Sequence, residues 1–580
     1  MASKTPKAKA NLDSPATQPA RKAPAAKKVE AADKPFAPKK PSKAAAKPVA
    51  TADGRTFPSA EAEKLFKRLC ASFPYETTND QAHALQRMAG YLVTPTSRTA
   101  YVLKGAAGTG KTSLMQTVVE QLEQRETSFV LMAPTGRAAK VLHRTTGRPA
   151  STLHSIIYQV EEEQGDLVFR LKVNNDPEDQ VYIVDEASMI GEASAEGGTL
   201  LPGRSVLRDL LDYVWESGMG RKLILVGDVA QLPPVGAATS PALDEHWLRN
   251  RYSLKVAAVH LREVKRQVLE SGILRNATHL RQALEEPQAG LPRLEPADDV
   301  VLLQCSDDLL ETYFQHYSRE EPDNVVILTF SNRSAVSINQ AIRQRIFAFD
   351  FTDPDEPREP PLLVKDDRIM VVKNAYRVQQ NNSLGFVDFL ANGEQGTVVA
   401  VGDEERRYDH QWVDAVLSFP LPNDREVEVE VKVLGSLLAS LEPQFKGDES
   451  RRLREARMAD IRKQVEKLEE AAKSHTPTVD ELNAGVATRK FNKGLKIKSL
   501  MRQDKYLNAL QLKYGYAVTG HKAQGGQWPH VIVVYEPSLR RNEAENGGDT
   551  TFLLRWLYTA LTRASRKVYL FGFPPELILG

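Results

Sequence analysis

The sequence predicts an α/β protein with two parallel-sheet domains. A β-hairpin interrupts the first, and a β-barrel plus a helical part interrupts the second. Three observations predict this. Short apolar runs at 101–103, 129–132, 181–184 and 223–226 alternate with helical patterns, as in a doubly wound sheet. A second set of runs follows at 325–330, 531–535 and 568–571. A long insertion separates the strands of that second set. Its β-like runs at 368–372, 396–401, 412–419 and 426–433 are punctuated by Asn392-Gly393 and Gly402-Asp403, which suits a small barrel.

With 580 residues, 41% of them hydrophobic, the chain can hold several cored domains. The net charge of +2 conceals a split. Residues 1–50 carry 12 Lys/Arg against 3 Asp/Glu, and the remainder carries 65 against 72. The first 50 residues also contain 15 Ala and 8 Pro, too little apolar surface to offset chain entropy. Residues 1–55 therefore read as a disordered basic tail. It is either a solvated linker or a weak phosphate-binding arm. The globular part is mildly acidic, so any nucleic-acid groove in it must be a local patch.

Cys70 and Cys305 are the only cysteines and have neither metal nor disulfide-framework spacing. No run of about 18 apolar residues predicts a membrane span. The N-terminus lacks the apolar core of a secretory signal. The expected location is cytoplasmic, and nucleoid-associated in a bacterial source.

In chain order, a helical segment opens at Asn79-Asp80-Gln81 and runs to Leu92. Asn79 or Asp80 suits its cap, and the Gln81 amide suits either capping or pairing with adenine. Gly105, Ala106, Ala107, Gly108, Thr109, Gly110, Lys111 and Thr112 form a complete phosphate-loop pattern between a strand and a helix. Its backbone N–H groups and helix N-terminus favour phosphate. Lys111 suits the β- and γ-phosphates, and Thr112 suits Mg²⁺. Hairpin arms are expected at 156–160 and 167–173, with Gln164-Gly165-Asp166 at the turn.

Asp185 and Glu186 end the strand at 181–184. Asp185 suits Mg²⁺, and Glu186 suits orienting or deprotonating an attacking water. Residues 227–236 follow another strand and read Gly-Asp-Val-Ala-Gln-Leu-Pro-Pro-Val-Gly. They put a carboxylate and the Gln231 amide at the sheet's carboxyl edge, where α/β proteins bind ligands. Pro233 and Pro234 stiffen the exit. In the insertion, 449–474 is charged and helical, with Ile461, Val465 and Leu468 on one face. A basic cluster, Arg489, Lys490, Lys493, Lys496 and Lys498, reads most simply as a solvated face.

These segments together resemble superfamily 1B helicases of the RecD-like and Dda-like group, the 5′→3′ branch. Further matching segments are Ala133–Ala139 (Ala-Pro-Thr-Gly-Arg-Ala-Ala), Ser151-Thr-Leu-His154 and 261–267, which holds Arg266 and Gln267. Later matches are Thr329-Phe-Ser-Asn332, 516–525 and 558–563. The resemblance implies two RecA-like P-loop NTPase domains. These are 1A at 56–260, with a pin subdomain 1B at 155–178, and 2A at 261–365 plus 511–580. It also implies an inserted domain 2B at 366–510, with an SH3-like barrel at 367–435 and a helical part at 445–505. The helical part departs from any family pattern.

The resemblance further implies that Gln81 reads adenine and Gln231 senses the γ-phosphate. Arg266 and Arg563 would reach that phosphate from the second domain. Pro134, Thr135 and His154 would line a single-stranded DNA surface on 1A, and Asn332, Thr519, His521 and Lys522 would line it on 2A. Phe169 would be the strand-separating wedge, although packing within the hairpin suits it equally. The implied activity is ATP- and Mg²⁺-dependent 5′→3′ unwinding by a monomeric motor. Its partners would be single-stranded DNA, ss/ds junctions and a single-stranded-DNA-binding or replication/repair protein, with no membrane. A DNA-stimulated ATPase that remodels protein–DNA complexes, or an RNA helicase, would share the same ATPase motifs.

Overall fold

Strand β1 (Thr99–Gly105) runs into the phosphate loop and helix α2 (Lys111–Gln124); helix α1 (Asn79–Val93) precedes it. There follow β2 (Phe129–Ala133), α3 (Gly136–Thr146), β3 (Ala150–Thr152), the hairpin β4 (Tyr158–Glu163) and β5 (Asp166–Leu171), β6 (Val181–Val184), β7 (Lys222–Gly227) and β8 (Lys255–Leu261). Apart from the hairpin, these strands form one sheet, β8–β1–β7–β6–β2–β3, parallel throughout. Every residue of β6 and β7 is buried, as expected where helices cover both faces. The strand period of two divides the core. Tyr101, Leu103, Ile183 and Val226 pack with Leu85 and Leu114 on one face. Val102, Tyr182, Val184 and Leu225 pack with Leu210 and Leu211 on the other.

The computed structural model describes residues 49–50, 56–95, 97–163, 166–192, 205–264, 270–286, 290–351, 360–381, 385–421, 425–474, 492–540 and 549–579. They lie in one compact unit, Lys47–Gly580. The basic tail, Arg266, Gln267, Gln164, Gly165, Arg489 and Lys490 fall outside the described residues. Among those described, no helix is long and apolar enough to cross a membrane.

The second sheet is built from β9 (Val300–Leu303) and β10 (Val325–Thr329), then, after helix α4 (Asn332–Phe351) and the insertion, from strands near the C-terminus. The insertion contributes β11 (Arg368–Val371), β12 (Ala375–Gln379), β13 (Phe386–Leu390), β14 (Gln395–Arg407), β15 (His410–Pro420), β16 (Glu426–Leu434), α5 (Gly447–Ser474) and α6 (Lys493–Arg502). Then come β17 (Leu512–Tyr514), β18 (Ala517–Thr519), β19 (Trp528–Val534), α7 (Thr551–Leu561) and β20 (Ala564–Phe571). The order β9–β20–β19–β10–β18 is again all parallel, so the fold has two RecA-like domains.

The insertion's main sheet, β16–β15–β14–β11–β17, is antiparallel. Its two edges meet where Leu434 N–H donates to the Leu510 carbonyl at 3.0 Å and Leu510 N–H donates to that of Lys432 at 2.8 Å.

Several local expectations are corrected. The insertion's antiparallel sheet takes its last strand, β17, from beyond residue 510, because three residues are too few to display an alternation. The hairpin arms start later than 156 and end before 173, because Thr152 caps a short helix, Leu153–Ile157, ahead of β4. Helix α1 is capped by Thr78, not by Asn79 or Asp80. On α5, Ile461 and Val465 are buried but Leu468 is exposed, so the apolar stripe ends a turn early. The short strands β3 and β18, and β8 and β9, carried no separate sequence expectation.

Candidate active site

The phosphate loop bends because Gly108 and Gly110 adopt φ of +77° and +87°, which side chains resist. Gly110 also has no room for a side chain, since a Cβ there would lie 2.6 Å from Gln81 Nε2. Gln81 closes a capping box with Thr78 and donates to the Thr109 carbonyl at 2.9 Å. One residue thus caps a helix and braces the loop, leaving one amide N–H and one lone pair uncommitted among the described residues. Lys111 Nζ donates to the carbonyls of Gly105 at 2.6 Å and Ala106 at 3.0 Å, and stands 4.0 Å from Asp228 Oδ2. Thr112 is exposed at the start of α2.

Asp185 leaves β6 with its N–H on the Met132 carbonyl, and its Oδ1 accepts from Glu186 N–H at 2.9 Å. Burial, with the Glu186 charge beside it, pushes the Asp185 carboxyl up to about 6. Glu186 sits in the left-handed region at φ +50°, a strained conformation for a non-glycine residue and frequent at functional sites. Its Oε1 lies 3.9 Å from Arg563 Nη1. Arg563 is buried just beyond α7. Its Nε donates to the Thr559 carbonyl at 3.1 Å, its Nη1 to that of Gly526 at 3.2 Å, and its Nη2 to Thr562 Oγ1 at 3.4 Å. One N–H on each terminal nitrogen remains, the pair with which arginine grips anionic oxygens.

The 227–236 segment lies between the two RecA-like domains. Asp228 is buried. Its Oδ1 accepts from Ala230 N–H at 2.9 Å, and its Oδ2 accepts from the Tyr558 hydroxyl at 2.6 Å. Leu232 is held from the second domain at both backbone groups. Its N–H donates to Thr559 Oγ1 at 3.0 Å, and its carbonyl accepts from Gln524 Nε2 at 2.6 Å. Between these anchors Gln231 is buried, and its Oε1 has no hydrogen-bond partner among the described residues. A buried carbonyl left so is costly and marks a place where a donor is expected.

The residues proposed for strand binding gather in two places. Thr135 caps α3 through Oγ1. A Cβ at Gly525 would lie 3.0 Å from that oxygen and 2.8 Å from Ala138 Cβ, so the 133–139 and 516–525 segments touch across the domains. Pro134 immediately precedes Thr135. His154 packs against Tyr158 and stacks near Phe389 of the insertion, and burial pushes its ring down to about 4. On the second domain Asn332, Thr519 and Lys522 line one small cavity, together with Lys513 and Asn339. Burial pushes the Lys522 ammonium down to about 8. His521 stacks near Phe552, and burial also lowers its ring. Phe169 lies on β5 opposite Val160 of β4.

Two families match the chain. One, described as an AAA domain, covers residues 76–300; the other, described as a UvrD-like helicase C-terminal domain, covers 514–571. The ATP-dependent RecD2 DNA helicase of Deinococcus radiodurans is 32% identical over 219 residues, 37% of this chain and 25% of that protein. The ATP-dependent DNA helicase dda of Enterobacteria phage T4 is 28% identical over 257 residues, 43% and 53% of the two chains. These similarities support a superfamily 1B helicase. It spans a quarter to about half the length of these curated relatives. A solved structure of the Pif1 helicase from Bacteroides, in complex with ADP-AlF3 and ssDNA, is similar over 87% of this chain and 95% of that one. The identity there is 16% and the TM-score 0.40.

Three residues that the site uses, Gln524, Tyr558 and Thr559, carried no expectation of their own, although all lie inside the motifs above; the Asp228 carboxylate was expected at the sheet edge, but not its bond to Tyr558. The motif strings do not say which side chains bond across the domain boundary. Arg137 is a fourth such residue. Its Nη1 donates to Gln395 Oε1 at 2.8 Å, its Nη2 to Asp323 Oδ1 at 2.9 Å, and its guanidinium lies 3.9 Å over the Trp528 ring. One side chain of the first domain thus meets both the insertion and the second domain.

Proposed function

We propose that this chain is an ATP-dependent 5′→3′ DNA helicase and translocase. The carrying observation is the approach of Arg563, from the second domain, to Glu186 beside the phosphate loop of the first. A charge delivered across the domain boundary makes hydrolysis depend on closure. Closure in turn changes the grip of both domains on a strand. Lys111 and Arg563 neutralise phosphate charge, Glu186 orients the water, and Gln231 Oε1, without a partner among the described residues, awaits a donor such as that water.

The residues present fit Mg²⁺. Among the described residues no cluster of three or more His, Cys, Asp or Glu forms a cage. A Mg²⁺ held largely by phosphate and water needs only one or two protein oxygens, which Thr112 and Asp185 supply. When bound, Mg²⁺ neutralises charge on the β- and γ-phosphates. The strand-facing hydroxyls, amides and rings suit phosphate contacts without base readout. The names of the RecD2 and dda relatives support DNA as the substrate.

Duplexes with a 5′ or a 3′ single-stranded tail, incubated with and without ATP, test the reading. Unwinding of the 5′-tailed duplex alone is expected. Activity only on the 3′-tailed duplex overturns the polarity. ATP hydrolysis that single-stranded DNA does not stimulate overturns the motor. Phe169→Ala is expected to spare ATP turnover and abolish strand separation.

A further inference from the structure

Tyr558 is a buried tyrosine on α7, the helix that leads into Arg563. Its hydroxyl does two things. It donates to Asp228 Oδ2 at 2.6 Å and accepts from the Ala107 N–H at 2.7 Å. Ala107 belongs to the phosphate loop, whose N–H groups serve to bind phosphate oxygens. A side chain of the second domain therefore holds one of the first domain's phosphate-binding groups.

We propose that Tyr558 is a positioning residue that latches the phosphate loop to the second domain, and that nucleotide phosphate takes the Ala107 amide from it. The proposal rests on the nucleotide-site reading above.

The exchange is chemically favourable. A phosphate oxygen carries charge and accepts more strongly than a neutral hydroxyl. It is also clean. The tyrosine keeps its own proton on Asp228, so losing Ala107 leaves no buried donor orphaned. Burial and the Asp228 charge both hold the hydroxyl well above its usual range, so it stays protonated throughout. Thr559 still pins α7 to Leu232 through a separate bond. Loss of the Ala107 bond removes one tie between α7 and the first domain and leaves those of Tyr558 to Asp228 and of Thr559 to Leu232 in place. Occupancy of the phosphate loop thereby reaches the element that carries Arg563.

Titration of the full chain with fluorescent ADP tests this, with melting temperature as a fold control. Tyr558→Phe removes the hydroxyl and keeps the ring. Wild-type protein must spend the Ala107 bond to bind, so the variant is expected to bind ADP about fivefold tighter. Arg555→Met, which breaks another bond from α7 to the first domain, that to the Ala238 carbonyl at 2.6 Å, and none to the loop, is expected to leave ADP affinity unchanged. Equal tightening by Arg555→Met overturns the latch in favour of general domain separation. Unchanged or weaker binding by Tyr558→Phe overturns it in favour of a packing role. Should that variant not fold, a fluorinated tyrosine at 558 weakens the acceptor, and a smaller tightening is expected; none overturns the latch. Wild-type protein that binds no ADP overturns the nucleotide-site reading as well.

Discussion

Arg563→Ala should lower kcat for ATP by about 10³–10⁵, which is about 4–7 kcal/mol of barrier. The structure favours a catalytic loss over a binding loss. Three of the five guanidinium N–H groups are already spent on Thr559, Gly526 and Thr562, so the head is fixed before any phosphate arrives. A prepaid geometry of this kind acts mainly in the transition state, and KM should change little. Lysine is not a substitute, because one ammonium cannot hold both carbonyls and still present a fork. Arg563→Lys should stay within about tenfold of the alanine variant, well below what a charge-only role would restore. Arg563→Ala strips the Gly526 carbonyl of a donor, at about 1–3 kcal/mol if it is left buried, whereas the Thr559 carbonyl still accepts from Thr562 Oγ1 at 3.2 Å. Melting curves and nucleotide titration must therefore accompany steady-state ATPase with saturating single-stranded DNA. A kcat for Arg563→Ala within tenfold of wild type, in protein that still melts cooperatively, would refute the reasoning.

Three other outcomes are expected. The Asp185 carboxyl is raised to about 6, so its folded form binds the proton more tightly than the unfolded chain. Its contribution to stability is present at low pH and is lost as pH rises through about 6. Asp185→Asn should therefore raise the nucleotide-free melting temperature at pH 7 and flatten its fall between about pH 4 and 6, while abolishing Mg²⁺-dependent turnover. Arg343 and Asp367 form a buried ion pair, with Tyr516 also donating to the carboxylate. Asp367→Ala should cost about 3–5 kcal/mol in denaturant unfolding, because it strands the guanidinium. Lys522→Ala should weaken single-stranded DNA binding and reduce the slope of log affinity against log salt by about 0.7, read by fluorescence anisotropy.

The parallel strands were legible because burial on both faces writes them as continuous apolar runs, as at 181–184 and 223–226. The phosphate loop and Asp185-Glu186 were legible because their spacing is tied to a strand–loop–helix geometry. What escaped depended on partners distant in sequence. The Tyr558–Asp228 bond spans 330 residues, and nothing local to either residue announces it. Gln81 shows the opposite limit. Capping and nucleotide contact were weighed as rivals, whereas its amide serves the cap and the loop together. Strand β17 was missed because three residues carry almost no period. The Arg137 junction was hidden because the string Ala133–Ala139 gives no sign of the ring and the two acceptors that Arg137 meets.

The insertion enters the second domain through β11 and leaves it through β17, and those two strands pair with each other. Asp367 and Tyr516 tie the two stems together immediately outside the pair. The sheet of the second domain therefore meets one closed doorway, whatever length of chain lies beyond it. The segment behaves as a cassette. Chain can lengthen at its far side, where α5 and α6 lie, without disturbing β10 or β18. A chain built this way can carry accessory surfaces while the two parallel sheets stay the same.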